Sequence, residues 1–195
     1  MTNKVRQRRG RFAAAFARDR SGVAAVEFAL ISPTIILILV GLIDLGGVLY
    51  TRFQLDASLS AGTNYAMVNG ASATSTSGAA LASTLAGLVS SGQSSNWADS
   101  SVTVNAGPTA GSSGGTVSTG GTASSADACY CPTGTASAGV TWGAAKTCGS
   151  ACTGGGYAGK FVLLSASRNY SPIFTGYGMV SQSGVITIAS LVQVQ

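Results

Sequence analysis

The sequence predicts an α+β protein: a long N-terminal transmembrane and amphipathic helix, a small antiparallel sheet packed on its outer half, and Ser/Gly-rich loops. Three observations carry this. An apolar run fills residues 23–50, strand patterns occupy residues 160–170 and 185–194, and the chain between is dominated by Ser, Thr, Gly and Ala.

The apolar run comes first. Twenty-eight helical residues at 1.5 Å each reach about 42 Å, enough to cross a hydrocarbon core of roughly 30 Å and emerge. Ser32-Pro33-Thr34, Gly41 and Asp44 interrupt it, and Pro33 is read as a tolerated kink. Asp44 lies 17 residues beyond Glu27, about 26 Å along the axis, which places it near the outer interface, where it could serve a subunit contact.

Charge sets the orientation. The 195-residue chain has a formal charge of +5, but residues 1–20 hold Lys4, Arg6, Arg8, Arg9, Arg11, Arg18 and Arg20 against Asp19, a net +6 that leaves −1 elsewhere. A basic tail directly before an apolar run is a positive-inside signal rather than a nucleic-acid arm, and only Arg52 flanks the far end. The N-terminus is expected to be cytoplasmic and the C-terminus outside, with membrane lipid, not nucleic acid, as a partner. Arg8-Arg9 is not read as a twin-arginine signal, because Arg18-Asp19-Arg20 intervenes and no A-x-A site closes the apolar segment.

Glu27, five residues past Gly22 and inside the run, needs an explanation, since an acid at a membrane helix centre costs about 2.5–3.5 kcal/mol and less toward an interface. A cut between Gly22 and Val23 would create an α-amino group, of ordinary pKa about 8, four residues from Glu27 and on its face. That amine can pair with the glutamate of its own helix or of a neighbour, which would make Glu27 an assembly register. The alternative is that Glu27 snorkels to the cytoplasmic interface and stabilises the helix N-terminus through the macrodipole.

Beyond the membrane the helical pattern continues. Phe53, Ala57, Ala61, Tyr65 and Val68 recur at spacings of three and four, so one helix is predicted from about residue 21 to 69, stopped at Asn69-Gly70. Leu81, Leu85, Leu88 and Val89 suggest a short helix over 77–90, and Val102-Thr-Val104 a short strand. Otherwise residues 71–139 read as a flexible excursion or long surface loops, and the Gly-rich run 111–121 as a solvated loop without phosphate-binding context. Near the end, Phe161-Val-Leu-Leu164 opens one strand, and Ile186, Ile188, Val192 and Val194 share a face of another, with Ser171-Pro172 and residues 175–178 between. The divisions are a basic leader (1–20), the helix (21–69), a Ser/Thr/Gly/Ala-rich segment (70–128), and a cysteine loop with C-terminal strands (129–195).

Cys129, Cys131, Cys148 and Cys152 form two close pairs separated by sixteen residues. C-x-C with C-x3-C is an unusual zinc spacing, and an oxidising compartment favours two disulfides. A Cys129–Cys131 ring would be strained, so crosslinks between the pairs are expected: 129 with 148 and 131 with 152, or 129 with 152 and 131 with 148. No metal or cofactor is expected. The chain has no histidine, and beyond the long helix its only acids are Asp99 and Asp127, so no triad, His metal site or carboxylate pair can be assembled; Lys146 and Lys160 lack a distinguishing serine spacing. An enzyme is not predicted, and no catalytic residue is assigned.

With these residues in view, the chain resembles the TadE-like (TadE/TadG) pilus assembly proteins of the tight adherence, or Flp, machinery. The resemblance runs over residues 19–68: Gly22-Val-Ala-Ala-Val-Glu27-Phe-Ala-Leu, Pro33, Gly41-Leu-Ile-Asp44, Tyr50 and Ala61-Gly62-x-x-Tyr65-Ala66. The stretch from Cys129 onward is also similar to the tails of a subset of such proteins. The resemblance implies a bacterial inner-membrane pseudopilin, cut by a prepilin peptidase after Gly22, with Glu27 serving processing or assembly. Its implied partners are other pilin-like subunits and the pilus assembly platform, and its implied role is adhesion and biofilm formation. Phe28 departs from the tyrosine that often follows the glutamate, and Gly62-Thr-Asn from a stretch that commonly carries arginine. The rivals are a permanently anchored component of the secretion apparatus with an outer binding domain, and a secreted module released by cleavage after the apolar span.

Overall fold

The computed structural model describes residues 22–173 and 184–195. The basic leader and residues 175–178 of the strand connection lie outside the described residues. Helix α1, Val23–Val68, contains Pro33 without interruption. Residues 23–43 of α1 are exposed or half-exposed on every face, with Phe28 at 69% and Leu30 at 75%. Apolar side chains presented all round a helix suit lipid, not water.

Residues 44–195 form an α+β unit around one core. It contains the outer part of α1, helix α2 (Gly78–Ser90) and a five-stranded sheet of order β3-β2-β1-β6-β7. The strands are β1 Asp99–Val104, β2 Pro108–Ser113, β3 Thr116–Gly121, β6 Phe161–Asn169 and β7 Val185–Gln193, and every pairing is antiparallel. A separate hairpin joins β4 (Thr133–Thr135) to β5 (Gly139–Thr141). Alternation along β1 and β6 turns Val102, Val104, Val162, Leu164 and Ala166 to the core, where Val102 pairs with Leu164. They meet Leu81, Ala82, Leu85, Ala86 and Val89 of α2 and Leu55, Leu59 and Ala66 of α1. Ile188, Val192 and Val194 pack against this cluster, as the period-2 pattern predicts.

Two expectations are corrected. The α1 stripe of Phe53, Ala57, Ala61, Tyr65 and Val68 is exposed. The buried face is instead Val48, Thr51, Leu55, Ser58, Leu59, Gly62 and Ala66, beginning at Asp44. Both stripes have helical period, and close approach selected the one with small residues. A Cβ on Gly62 would lie 2.7 Å from Val89 Cγ2 and 3.0 Å from Leu164 Cδ2. Within residues 71–139 the expected short helix and the strand at Val102–Val104 are present as α2 and β1; the second correction is that the Gly-rich run is not a loop but forms the end of β2 and all of β3. Ser, Thr and Gly have weak strand propensity, but the ladder from Ser113↔Thr116 to Pro108↔Gly121 satisfies the backbone, and Gly114 and Gly115 take the positive φ that the tight turn requires.

Candidate assembly and anchoring site

At the N-terminal end of α1, Gly22 occupies a turn and Val23 is the first helical residue. Val26 N donates to Gly22 O at 3.2 Å, so the Gly22–Val23 peptide sits where chain becomes helix. Val23 is 52% exposed, and Glu27, one turn further, is also exposed. Helical spacing puts the backbone nitrogen of Val23 and the Glu27 carboxylate on one side of the first turn. The described protein covers neither.

Asp44 behaves differently. It is 3% exposed, and its Oδ1 accepts a hydrogen bond from Ile173 N at 2.8 Å. Tyr170 Oη donates to Asp44 O at 3.2 Å, its ring lying where a side chain on Gly47 would stand. Burial first, and the Asp44 charge second, raise the Tyr170 pKa above the ordinary phenol value. Asp44 therefore ties the segment after β6 to the helix. The alternating pattern that identified β6 carried no signal for this long-range bond.

At the opposite end of the sheet, the structure joins Cys129 to Cys148 and Cys131 to Cys152, with Cα–Cα distances of 5.1 and 5.7 Å. Cys129 is buried and the bridges hold the β4–β5 hairpin beside the sheet. Sequence reasoning missed the residue that attaches this loop. Asn105, fully buried with φ 51°, donates from Nδ2 to Ala126 O and Ala128 O and accepts from Phe161 N at 3.3 Å. Its local signal was Asn105-Ala-Gly107 after a strand, a turn composition that tolerates left-handed backbone.

Nearby, the Ser75 side chain first, and Ser75 N donating to Asp127 Oδ1 at 2.9 Å second, hold the Asp127 carboxyl below its ordinary pKa. Lys160 Nζ donates to Ala73 O at 2.8 Å. Among the described residues no three His, Cys, Asp or Glu side chains form a metal-holding group. A cleft of about 480 Å³ between the disulfide loop and the sheet is lined by Phe161, Leu191, Tyr157 and uncharged polar residues.

The geometry defines a class: a protein with, among the described residues, one helix long and apolar enough to cross a membrane, and an α+β unit from Asp44 onward. The helix fits a membrane anchor. The family model described as TadE-like protein matches residues 22–63, so this segment is TadE-like, as the resemblance implied. The match opens at Gly22 and ends within α1, and it points to a component associated with pilus assembly. No curated protein and no solved structure matches the chain.

Proposed function

We propose that this chain is a minor pilin-like subunit of a tight adherence pilus, held in the bacterial inner membrane by α1 until it is assembled, and contributing to adhesion and biofilm formation. The observation that carries this reading is the coincidence of the TadE-like match with the start of α1: both begin at Gly22–Val23, with Glu27 one turn inside. A prepilin peptidase cuts that peptide, and the new amine of one subunit pairs with Glu27 of another at the assembly platform. The outer domain leaves a second stripe of α1 uncovered, Phe53, Ala57, Ala61, Tyr65 and Val68, and neighbouring pilin-like helices pack there. The disulfide loop, at the other end of the sheet from Asp44, faces outward.

Intact mass of the membrane-extracted protein, with and without coexpressed prepilin peptidase, tests the reading. A peptidase-dependent start at Val23 supports it, and Glu27→Ala should then be recovered outside assembled filaments. An intact leader under both conditions favours a permanently anchored component of the secretion apparatus.

A further inference from the structure

One face of the five-stranded sheet packs on α1 and α2, and the strand register fixes what the other face presents. Ser118, Gly111, Ser101 and Ser165 lie in one row across β3, β2, β1 and β6. In the next row Ser167 stands opposite Thr187. Toward the disulfide loop the face turns apolar, with Leu163 opposite Leu191 and Phe161 opposite Gln193. All of these residues are exposed or half-buried.

Two recesses open on this face. One, of about 300 Å³, is lined by the hydroxyl rows and by Asp99, and Gly111 deepens it by contributing no side chain between Ser118 and Ser101. The other is the cleft of about 480 Å³, where Phe161, Leu191 and Gln193 face residues 153–157 of the disulfide loop. Its loop wall is fixed: Gly155 N donates to Cys152 O at 3.1 Å, Cys152 N to Gly156 O at 3.0 Å, and Cys152 is bridged to Cys131. Tyr157 stands in that wall 68% exposed.

The chemistry of the lining selects the occupant. Among the described residues no Lys or Arg lines either recess, which removes the cations that a nucleic-acid backbone requires. Serine is depleted at protein interfaces, and rows of hydroxyls are poorly matched to lipid tails. A pyranose ring has an apolar C–H face and a rim of neutral hydroxyls. Its complement is an aromatic ring beside uncharged groups that both donate and accept, as Ser and Thr hydroxyls do. We infer that this face binds a neutral oligosaccharide, with one ring stacked on Tyr157 in the cleft and the following rings laid over the row of Ser101 and Ser165. From Phe161 to Ser167 the strand runs about 20 Å, room for a chain of sugars rather than one. Every residue involved belongs to the unit from Asp44 onward, so binding is the same in a pilus subunit and in a permanently anchored component.

The test uses the full chain in phosphatidylcholine nanodiscs, which carry no sugar headgroup, titrated in a calorimeter. The probes are β-1,4-linked di- and tetrasaccharides of glucose, galactose and N-acetylglucosamine, with a heparin tetrasaccharide as the anionic comparison. At least one neutral tetrasaccharide should bind saturably at millimolar concentration, and more tightly than its disaccharide. Tyr157→Ala should weaken it about tenfold and Tyr157→Phe less than about twofold, since the ring and not the hydroxyl makes the stack. Ser101→Val should weaken the tetrasaccharide about threefold and leave the disaccharide unchanged. Thr84→Ala, exposed on α2 and so on the other side of the sheet, should change nothing. Unaltered circular dichroism in each variant separates lost binding from lost fold. No saturable binding by any neutral tetrasaccharide overturns the inference, as does equal binding of heparin or binding that Tyr157→Ala leaves intact. None of these outcomes alters the leader cleavage read by intact mass, so the two readings fail separately.

Discussion

Asn105→Ala is the substitution whose cost the structure specifies best. The side chain bridges three segments: the corner after β1, the turn before Cys129, and the first residue of β6. Truncation leaves two carbonyls and one amide without their partner, the Ala126 carbonyl buried and the Ala128 carbonyl and Phe161 amide half-buried. Buried polar groups stripped of a partner cost about 1–3 kcal/mol each, the carbonyls at the low end because they have two lone pairs, so roughly 3 kcal/mol is lost from the hydrogen bonds. Alanine must also adopt φ 51°, which adds about 1–2 kcal/mol. The total, roughly 4 kcal/mol, is a large share of the 5–15 kcal/mol typical of a domain. Asn105→Gly keeps the backbone conformation and loses the same bonds, so it should be milder than alanine. Urea unfolding of the full chain in detergent micelles, followed by Trp97 and Trp142 fluorescence with the disulfides intact, measures both. An alanine loss below about 1 kcal/mol, or a glycine variant less stable than the alanine one, refutes this account of the site.

Four further outcomes follow from the same geometry. Gly62→Val forces carbon into the gap between Val89 and Leu164 and should destabilise the outer domain by about 1–3 kcal/mol in the same assay, more than helix propensity returns. Ala61→Arg, on the exposed stripe, should leave domain stability within about 0.5 kcal/mol while removing the protein from filaments in a pulldown with other pilin-like subunits. Because Asp127 has a depressed pKa, its stabilising effect should be present above the ordinary value of 3.8 and disappear as pH falls through the lower folded value; Asp127→Asn should therefore lower Tm at neutral pH and converge with the unsubstituted protein in strong acid. Tyr170 has the opposite sign. Its pKa is raised from 10.0, so stability held below that pH is lost as pH rises through the folded value, and Tyr170→Phe should flatten the alkaline limb of a Tm–pH curve.

The sequence exposed what depends on period and composition, and concealed what depends on close approach. The helix α1, the short helix α2, and the strands around Val102, Leu164 and Ile188 were legible because their apolar residues repeat at 3.6 or 2. Which stripe of α1 is buried was not legible, since Gly62, Ser58 and Thr51 look less hydrophobic than Phe53 and Tyr65, yet their size lets α2 and β6 come near. The β2–β3 hairpin was hidden for a related reason: its residues gain little from burial, and backbone pairing beside β1 holds them. The pattern of four cysteines gave two bridges but not their partners, because spacing along a chain does not contain the strand order that brings Cys129 to Cys148. The expectation for Gly22, Val23 and Glu27 rests on local spacing alone, since Val23 and Glu27 stand one helical turn apart just after Gly22 and no tertiary contact enters it.

On the proposed reading, the basic leader decides when the helix can leave the bilayer. Moving α1 outward into a filament would draw residues 1–20 into the hydrocarbon, and their seven cations would cost about 2.5–3.5 kcal/mol each on an insertion scale, roughly 20 kcal/mol together. Packing on the exposed stripe does not offset a penalty of that size, since helix association in lipid lacks the hydrophobic drive available in water. Cutting at Gly22–Val23 removes the whole term and, in the same step, leaves an amine one helical turn from Glu27. The event that releases the helix is then also the event that supplies the partner for its only acid between Val23 and Ile43. A subunit that kept its leader would remain anchored with Glu27 unmatched by that amine, and so would be unsuited to assembly on both counts.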